Sequence, residues 1–146
     1  MKISATIITF NEERNIARAI ESLRCADEII VVDSGSTDRT VELAHNLGAR
    51  VVESAWPGYA DQKNFAAEQA AHDWILSIDA DESLSEALEA EIWKVKKAGP
   101  RFDAYTMPRL ARYLGRWIRH SGWYPDRKST RLNSSHIQKS RMPSSA

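Results

Sequence analysis

A chain of 146 residues, 42% hydrophobic and 27% charged, suits one globular domain with its own core, and its single cysteine, Cys25, excludes a disulfide scaffold. Twenty Lys/Arg balance twenty Asp/Glu, which argues against a dedicated nucleic-acid binder. The balance is uneven along the chain: residues 1–100 carry ten basic and eighteen acidic side chains, whereas residues 101–146 carry ten and two.

In chain order, Ile3–Phe10 predicts a strand and Glu12–Leu23 a helix, with Ile16, Ile20 and Leu23 on one stripe behind a candidate N-cap at Asn11. Glu28–Asp33 is the second strand, Thr37–Leu47 a helix ending at Gly48, and Arg50–Glu53 the third strand. Asp61–Ala71 is Ala-rich and helical in pattern, and Trp74–Ile78 is the fourth strand. Leu84–Ala98 places Leu84, Leu88, Ile92 and Val95 on one face, with Ser83 and Glu86 as a capping box and Gly99-Pro100 as the stop. Short β-branched runs alternating with helices predict an α/β fold with a parallel sheet buried on both faces. Beyond Pro100, Asp103–Met107 is a further strand candidate, and the basic, aromatic stretch Arg109–Tyr124 follows neither period. Residues 129–146 hold six Ser and no acid, a composition that predicts disorder and departs from the rest of the chain as a non-native tail would. No apolar run approaches the roughly 20 residues that span a bilayer. Met1-Lys2-Ile3-Ser4 leads directly into a strand without a signal peptide's apolar region, so a cytoplasmic location is expected.

In an open parallel sheet, ligands sit beyond the carboxyl ends of the strands. Three such ends are polar here: Thr9-Phe10-Asn11-Glu12, Asp33-Ser34-Gly35-Ser36-Thr37-Asp38 and Asp79-Ala80-Asp81-Glu82. There is no GxGxxG and no P-loop, so phosphates need another partner. Asp79 and Asp81 stand two apart, and on extended backbone both carboxylates share a side, an arrangement a divalent cation relieves. Oxygen-only ligands suit Mg²⁺ or Mn²⁺, which also take phosphate oxygens and water. The four histidines show no paired metal spacing.

The runs Thr6-Ile7-Ile8-Thr9-Phe10-Asn11-Glu12, Val31-Val32-Asp33-Ser34-Gly35-Ser36-Thr37-Asp38 and Asp79-Ala80-Asp81-Glu82, in that order, resemble glycosyltransferase family 2. Trp56-Pro57-Gly58-Tyr59, Gln62-Lys63-Asn64, and the segments Gly115–His120 and Gly122–Asp126 are similar to its lipopolysaccharide-core glucosyltransferase branch. The resemblance covers residues 1 to about 128 and implies a Rossmann-like GT-A fold, a mostly parallel sheet flanked by helices, incomplete at the C-terminus, with residues 1–128 as a partial donor-binding domain. It implies transfer of a sugar, glucose in that branch, from a UDP-sugar to a saccharide acceptor, with inversion and with Mg²⁺ or Mn²⁺ as cofactor. Residue by residue, it implies that Thr9, Asn11 and Glu12 line the nucleotide pocket and that Asp33 accepts a hydrogen bond from the base. Lys63 approaches the diphosphate, Asp79 meets the ribose or the metal shell, and Asp81 binds the metal. The family's catalytic base has no matching position in this sequence. A lipid-linked acceptor would place the protein peripherally on the inner face of the cytoplasmic membrane, with the Arg109–Tyr124 stretch at the bilayer.

Plainer readings stand beside these. Asp33 would also serve as a cap or turn former, Asn11 as an N-cap, Lys63 as a solvated surface cation, and Asp79 with Asp81 as an acidic loop before a helix. For the whole chain, the alternative to turnover is a nucleotide-sugar binding fragment that lacks its base. A sugar-nucleotide-forming nucleotidyltransferase would want a Gly-rich, Arg-containing loop after the first strand, where Thr9-Phe10-Asn11-Glu12 stands instead.

Overall fold

The computed structural model describes residues 1–110 together with the backbone of three short strands at 112–113, 116–117 and 126–128. Four strands, β1 (Ile3–Thr9), β2 (Glu28–Asp33), β3 (Arg50–Glu53) and β4 (Trp74–Asp79), form one sheet in the order β3-β2-β1-β4, and every pairing is parallel. All four match the predicted strands to within a residue at their ends. The reason is burial: every residue of β1 is buried, so β-branched side chains are selected on both faces.

Strand alternation sorts the core into two layers. Ile3, Ala5 and Ile7 of β1 join Val31, Leu76 and Ile78 on one face. There they meet Ile16, Ala19 and Ile20 of α1 (Ile16–Glu21), Ala44 of α2 (Thr40–Asn46) and Ile92 of α4 (Glu86–Ala98). On the other face Ile8, Ile30 and Val32 pack with Ala66 and Phe65 of α3 (Tyr59–Glu68). A parallel sheet with helices on both faces, linked by crossovers through helices, is the Rossmann-like arrangement expected.

Five expectations change in detail. The first helix starts at Ile16 with Asn15 as its N-cap, so Asn11 is not the cap; residues 13–15 form a turn, and the Glu12 carbonyl before it accepts both Asn15 N–H and Ile16 N–H at 2.9 Å. The second starts at Thr40 rather than Thr37, because residues 34–39 are drawn into contacts with the β1 loop. The third helix runs over Tyr59–Glu68 rather than Asp61–Ala71. The cap of α4 is Ser85, whose side chain accepts from Leu88 N–H, not Ser83. Glu82 turns back on Asp79 and Leu84 N–H donates to Ser22 Oγ at 3.0 Å, which keeps the chain non-helical through residue 84. The fifth strand is β5 (Met107–Arg109), not Asp103–Met107: residues before it are held as a loop by Tyr105, whose hydroxyl accepts Arg101 N–H and whose ring packs near Trp74 and Phe102.

β5 pairs antiparallel with β8 (Asp126–Lys128), and β6 (Arg112–Tyr113) with β7 (Arg116–Trp117). The expected disordered segment 129–146 and the side chains from 111 onward lie outside the described residues. Among the described residues no helix is long and apolar enough to cross a membrane.

Candidate functional site

The strand order reverses direction between β1 and β4, and the carboxyl ends of β2, β1 and β4 come level there: Thr9 is in register with Asp33, and Ile8 with Asp79. Such a switch point opens a crevice at the strand ends. Thr9 therefore stands between two polar clusters, one built on β2 and one on β4.

The β2 cluster is centred on Asp33, only 1% exposed. Its Oδ2 accepts the N–H groups of Gly35 at 3.0 Å and Ser36 at 2.7 Å, and its Oδ1 accepts the Ser36 hydroxyl at 2.5 Å. Gly35 has φ +91°, a conformation that suits glycine and lets the turn close back on the carboxylate. The turn-forming role foreseen for Asp33 is thus realised. A carboxylate offers about four acceptor positions, so three bonds leave one for a ligand.

The loops after β1 and β2 are stitched together. Asn11 N–H donates to Ser36 Oγ at 2.8 Å, and Asn11 Oδ1 accepts Thr37 N–H at 2.8 Å. This bond supports the left-handed φ of 52° at Asn11, which asparagine tolerates better than most residues. Glu12 N–H donates to Thr40 Oγ1, while the Glu12 carboxylate accepts Asn15 Nδ2 at 2.8 Å. Asp38 Oδ1 accepts both the amide and the hydroxyl of Thr40. Desolvation raises the Asp38 pKa, but these hydrogen bonds outweigh it and hold the carboxyl below its ordinary value.

On the β4 side, Lys63 of α3 lies 2.9 Å from Asp79 Oδ1, so the structure pairs two of the residues singled out in the sequence. Asp79 Oδ2 is 3.4 Å from Arg109 of β5. Arg109 also contacts Glu82 Oε1, whose other oxygen accepts Asp79 N–H at 2.8 Å. Asp81, by contrast, is exposed, and among the described residues its backbone carbonyl is engaged by Arg18 at 3.0 Å.

Four residues without an assigned role belong to this rim: Ser36, Gln62, Glu82 and Arg109. Gln62 is fully buried on α3 and donates from Nε2 to Ser34 Oγ at 3.1 Å, tying that helix to the Asp33 turn. Its Oε1 and the Thr9 hydroxyl are buried with no hydrogen-bond partner among the described residues. Unsatisfied polar atoms are costly away from water, and these two stand at the rim of the sheet. In the sequence, the run Gln62-Lys63-Asn64 was the available signal for Gln62. Exposed Phe10 follows β1, and the edge-to-face pair of Trp56 and Tyr59, 4.7 Å between centroids, stands between the end of β3 and the start of α3.

Among the described residues no three His, Cys, Asp or Glu side chains converge as a metal cage. A cation here would take oxygens from a bound ligand and water, the habit of Mg²⁺ and Mn²⁺ in phosphate sites. The exposed Asp81 carboxylate fits that role directly; each oxygen of Asp79 already faces a cation, Lys63 or Arg109.

Comparison with known proteins decides the family. The sequence model described as Glycosyl transferase family 2 matches residues 4–143, nearly the whole chain and past residue 128. The chain belongs to glycosyl transferase family 2. An uncharacterized glycosyltransferase of Rickettsia typhi is 49% identical over 117 residues, covering 78% of this chain and 40% of that protein. The lipopolysaccharide core biosynthesis glycosyltransferase LpsC of Rhizobium meliloti is 36% identical over 138 residues, covering 91% of this chain and 49% of LpsC. The chain thus spans less than half the length of these family members. Among solved structures, glucosyl-3-phosphoglycerate synthase of Mycobacterium tuberculosis in complex with UDP aligns with TM-score 0.51 and 33% identity over 56% of this chain and 34% of that one. The same enzyme with Mn²⁺, UDP and glucosyl-3-phosphoglycerate aligns with TM-score 0.50 and 31% identity over 56% and 35%. The family's GT-A fold is the one seen here.

Proposed function

We propose that this chain is the donor-binding part of a metal-dependent, inverting glycosyltransferase that takes a UDP-sugar, glucose being the donor sugar, and serves a saccharide acceptor of the lipopolysaccharide core. The observation that carries the reading is the pair of clusters flanking Thr9: a nearly buried carboxylate with one acceptor position left on β2, and a Lys63–Asp79 pair beside exposed Asp81 on β4. Support for UDP and a divalent ion comes from the complexes of the mycobacterial synthase, and support for the acceptor class from LpsC.

In this reading Asp33 accepts the uracil N3–H, a charge-assisted bond made strong by burial. Asn11 and Thr9 shape the floor of the nucleotide pocket, the Thr9 hydroxyl gaining the partner it lacks. Glu12 acts one step back, its backbone and carboxylate holding the loop that carries Asn11. Lys63 faces the diphosphate and Asp79 orients it or meets the ribose. Asp81, with Asp79 beside it, would hold Mg²⁺ or Mn²⁺, which supplies neutralisation of the charge that develops on the departing diphosphate. No described residue is assigned as the base that deprotonates the acceptor hydroxyl. The Arg109–Tyr124 stretch is proposed to contact anionic lipid on the cytoplasmic face, where a lipid-linked acceptor would be met.

Donor binding and sugar transfer are tested separately. UDP-glucose binding by calorimetry with Mn²⁺, lost in EDTA, is expected for the chain; equal binding in EDTA would refute the metal assignment. Multiple-turnover transfer by the 146-residue chain would exclude the alternative of a binding unit without turnover. Co-sedimentation with anionic vesicles should fall with salt and on replacing Arg112, Arg116 and Arg119 together; indifference to both would remove the membrane contact.

A further inference from the structure

Asp79 is flanked by two cations that come from different parts of the chain, Lys63 from the helix before β4 and Arg109 from the strand after α4. The two are not equivalent. Lys63 meets Asp79 Oδ1, whereas Arg109 bridges Asp79 Oδ2 and Glu82 Oε1 and so compensates two carboxylates three residues apart. Glu82 is otherwise bonded back to the Asp79 N–H, which brings its charge onto the aspartate turn. Two carboxylates this close repel unless a cation lies between them, and a guanidinium, planar with five donors, is suited to bridging them. A divalent ion at Asp79 and Asp81 would meet the same charge requirement, so the ion and Arg109 compete for Asp79.

We propose that Arg109 is a positioning residue of the metal site: it stands in for the divalent cation by bridging Asp79 and Glu82, and it yields Asp79 when the cation binds. The proposal rests on the reading of Asp81 and Asp79 as the metal site. It also gives a reason for a basic residue at the end of β5, beyond the four-stranded sheet, to be turned toward the aspartate turn rather than to solvent.

The test is Mn²⁺ binding to the full chain without nucleotide, followed by calorimetry or by the electron paramagnetic resonance of free Mn²⁺, together with thermal unfolding in EDTA and in Mn²⁺. Arg109→Gln should bind Mn²⁺ about three- to fivefold more tightly than the parent, the scale of one partly exposed ion pair. Its unfolding midpoint should fall in EDTA and recover in Mn²⁺ by more than the parent's rises. Arg109→Lys, which retains a charge, should return Mn²⁺ affinity toward the parent value. Arg109→Met keeps the aliphatic stem and carries the same expectation should the Gln variant fold poorly. Unchanged or weaker Mn²⁺ binding in Arg109→Gln and Arg109→Met, with Mn²⁺-dependent UDP binding intact in the parent, would overturn the role of Arg109. Absence of Mn²⁺-dependent UDP binding in the parent would instead overturn the metal reading beneath it.

Discussion

Replacing Asp33 by Asn changes one oxygen into an NH₂ group and removes the charge. In the folded protein Asp33 receives two backbone N–H groups on Oδ2 and the Ser36 hydroxyl on Oδ1. An asparagine can keep the first two on its carbonyl oxygen, while its amide faces a Ser36 hydroxyl that already accepts Asn11 N–H and can rotate. The turn should therefore persist, at a cost of about 1 kcal/mol for one hydrogen bond. The ligand loses more. A bond from the uracil N3–H to a charged acceptor is worth about 1.5–3 kcal/mol, so UDP should bind about 10- to 150-fold more weakly. CDP discriminates between the two roles, because the cytosine N3 is an acceptor and opposes a carboxylate. The native chain should prefer UDP to CDP, and Asp33→Asn should narrow the gap by weakening UDP while sparing CDP. Calorimetry of both nucleotides at fixed Mn²⁺ reads this directly. Equal losses for UDP and CDP would show that Asp33 acts only through its turn, and unchanged UDP affinity would show that it does not meet the base.

Ser85→Ala should lower stability by about 0.5–2 kcal/mol in urea unfolding, because it removes the side-chain acceptor for Leu88 N–H at the start of α4, whereas Ser83→Ala should lie within a few tenths. The carboxyls of Asp27 and Glu28 are both held below their ordinary values. Burial raises each, but Lys96 and the Ile3 N–H outweigh it at Asp27, and the Ser4 hydroxyl and Ala71 N–H at Glu28. A lowered folded pKa adds stability that is fully present above the unfolded values of 3.8 and 4.5 and is lost as pH falls through the folded ones. The urea midpoint should accordingly drop on acidification below about pH 4.5, more steeply in the parent than in Asp27→Asn/Glu28→Gln; parallel pH profiles would contradict this.

The strands were legible because β1 and most of β2 and β4 are buried and so are rich in Ile, Val and Leu, broken only by small Ser and Thr side chains inside β1 and β4 and by acidic residues at both ends of β2 and at the end of β4. The partners across the rim were less so. Lys63 stands out beside Gln62 and Asn64, yet its pairing with Asp79 depends on α3 crossing over the sheet, which no local spacing records. Arg109 lies thirty residues beyond Asp79, at the start of a basic, aromatic stretch with no clear period for which bilayer contact is the expectation, and nothing local points it to the aspartate turn. Helix starts shifted where side chains bond backwards to the turn before them: Glu12 delays α1, and Glu82 moves the cap of α4 from Ser83 to Ser85. Such contacts depend on how neighbouring turns close, not on residue preference alone.

The central claim is that the carboxyl ends of β1, β2 and β4 together form a metal-dependent site for a uridine diphosphate. Calorimetry of UDP with the native chain and with Asp81→Ala, each in Mn²⁺ and in EDTA, measures it. The account predicts binding by the native chain in Mn²⁺, loss of most of that affinity in EDTA, and an Asp81→Ala protein that binds weakly and equally in both. UDP affinity that is the same in Mn²⁺ and EDTA, or is untouched by Asp81→Ala, would contradict it.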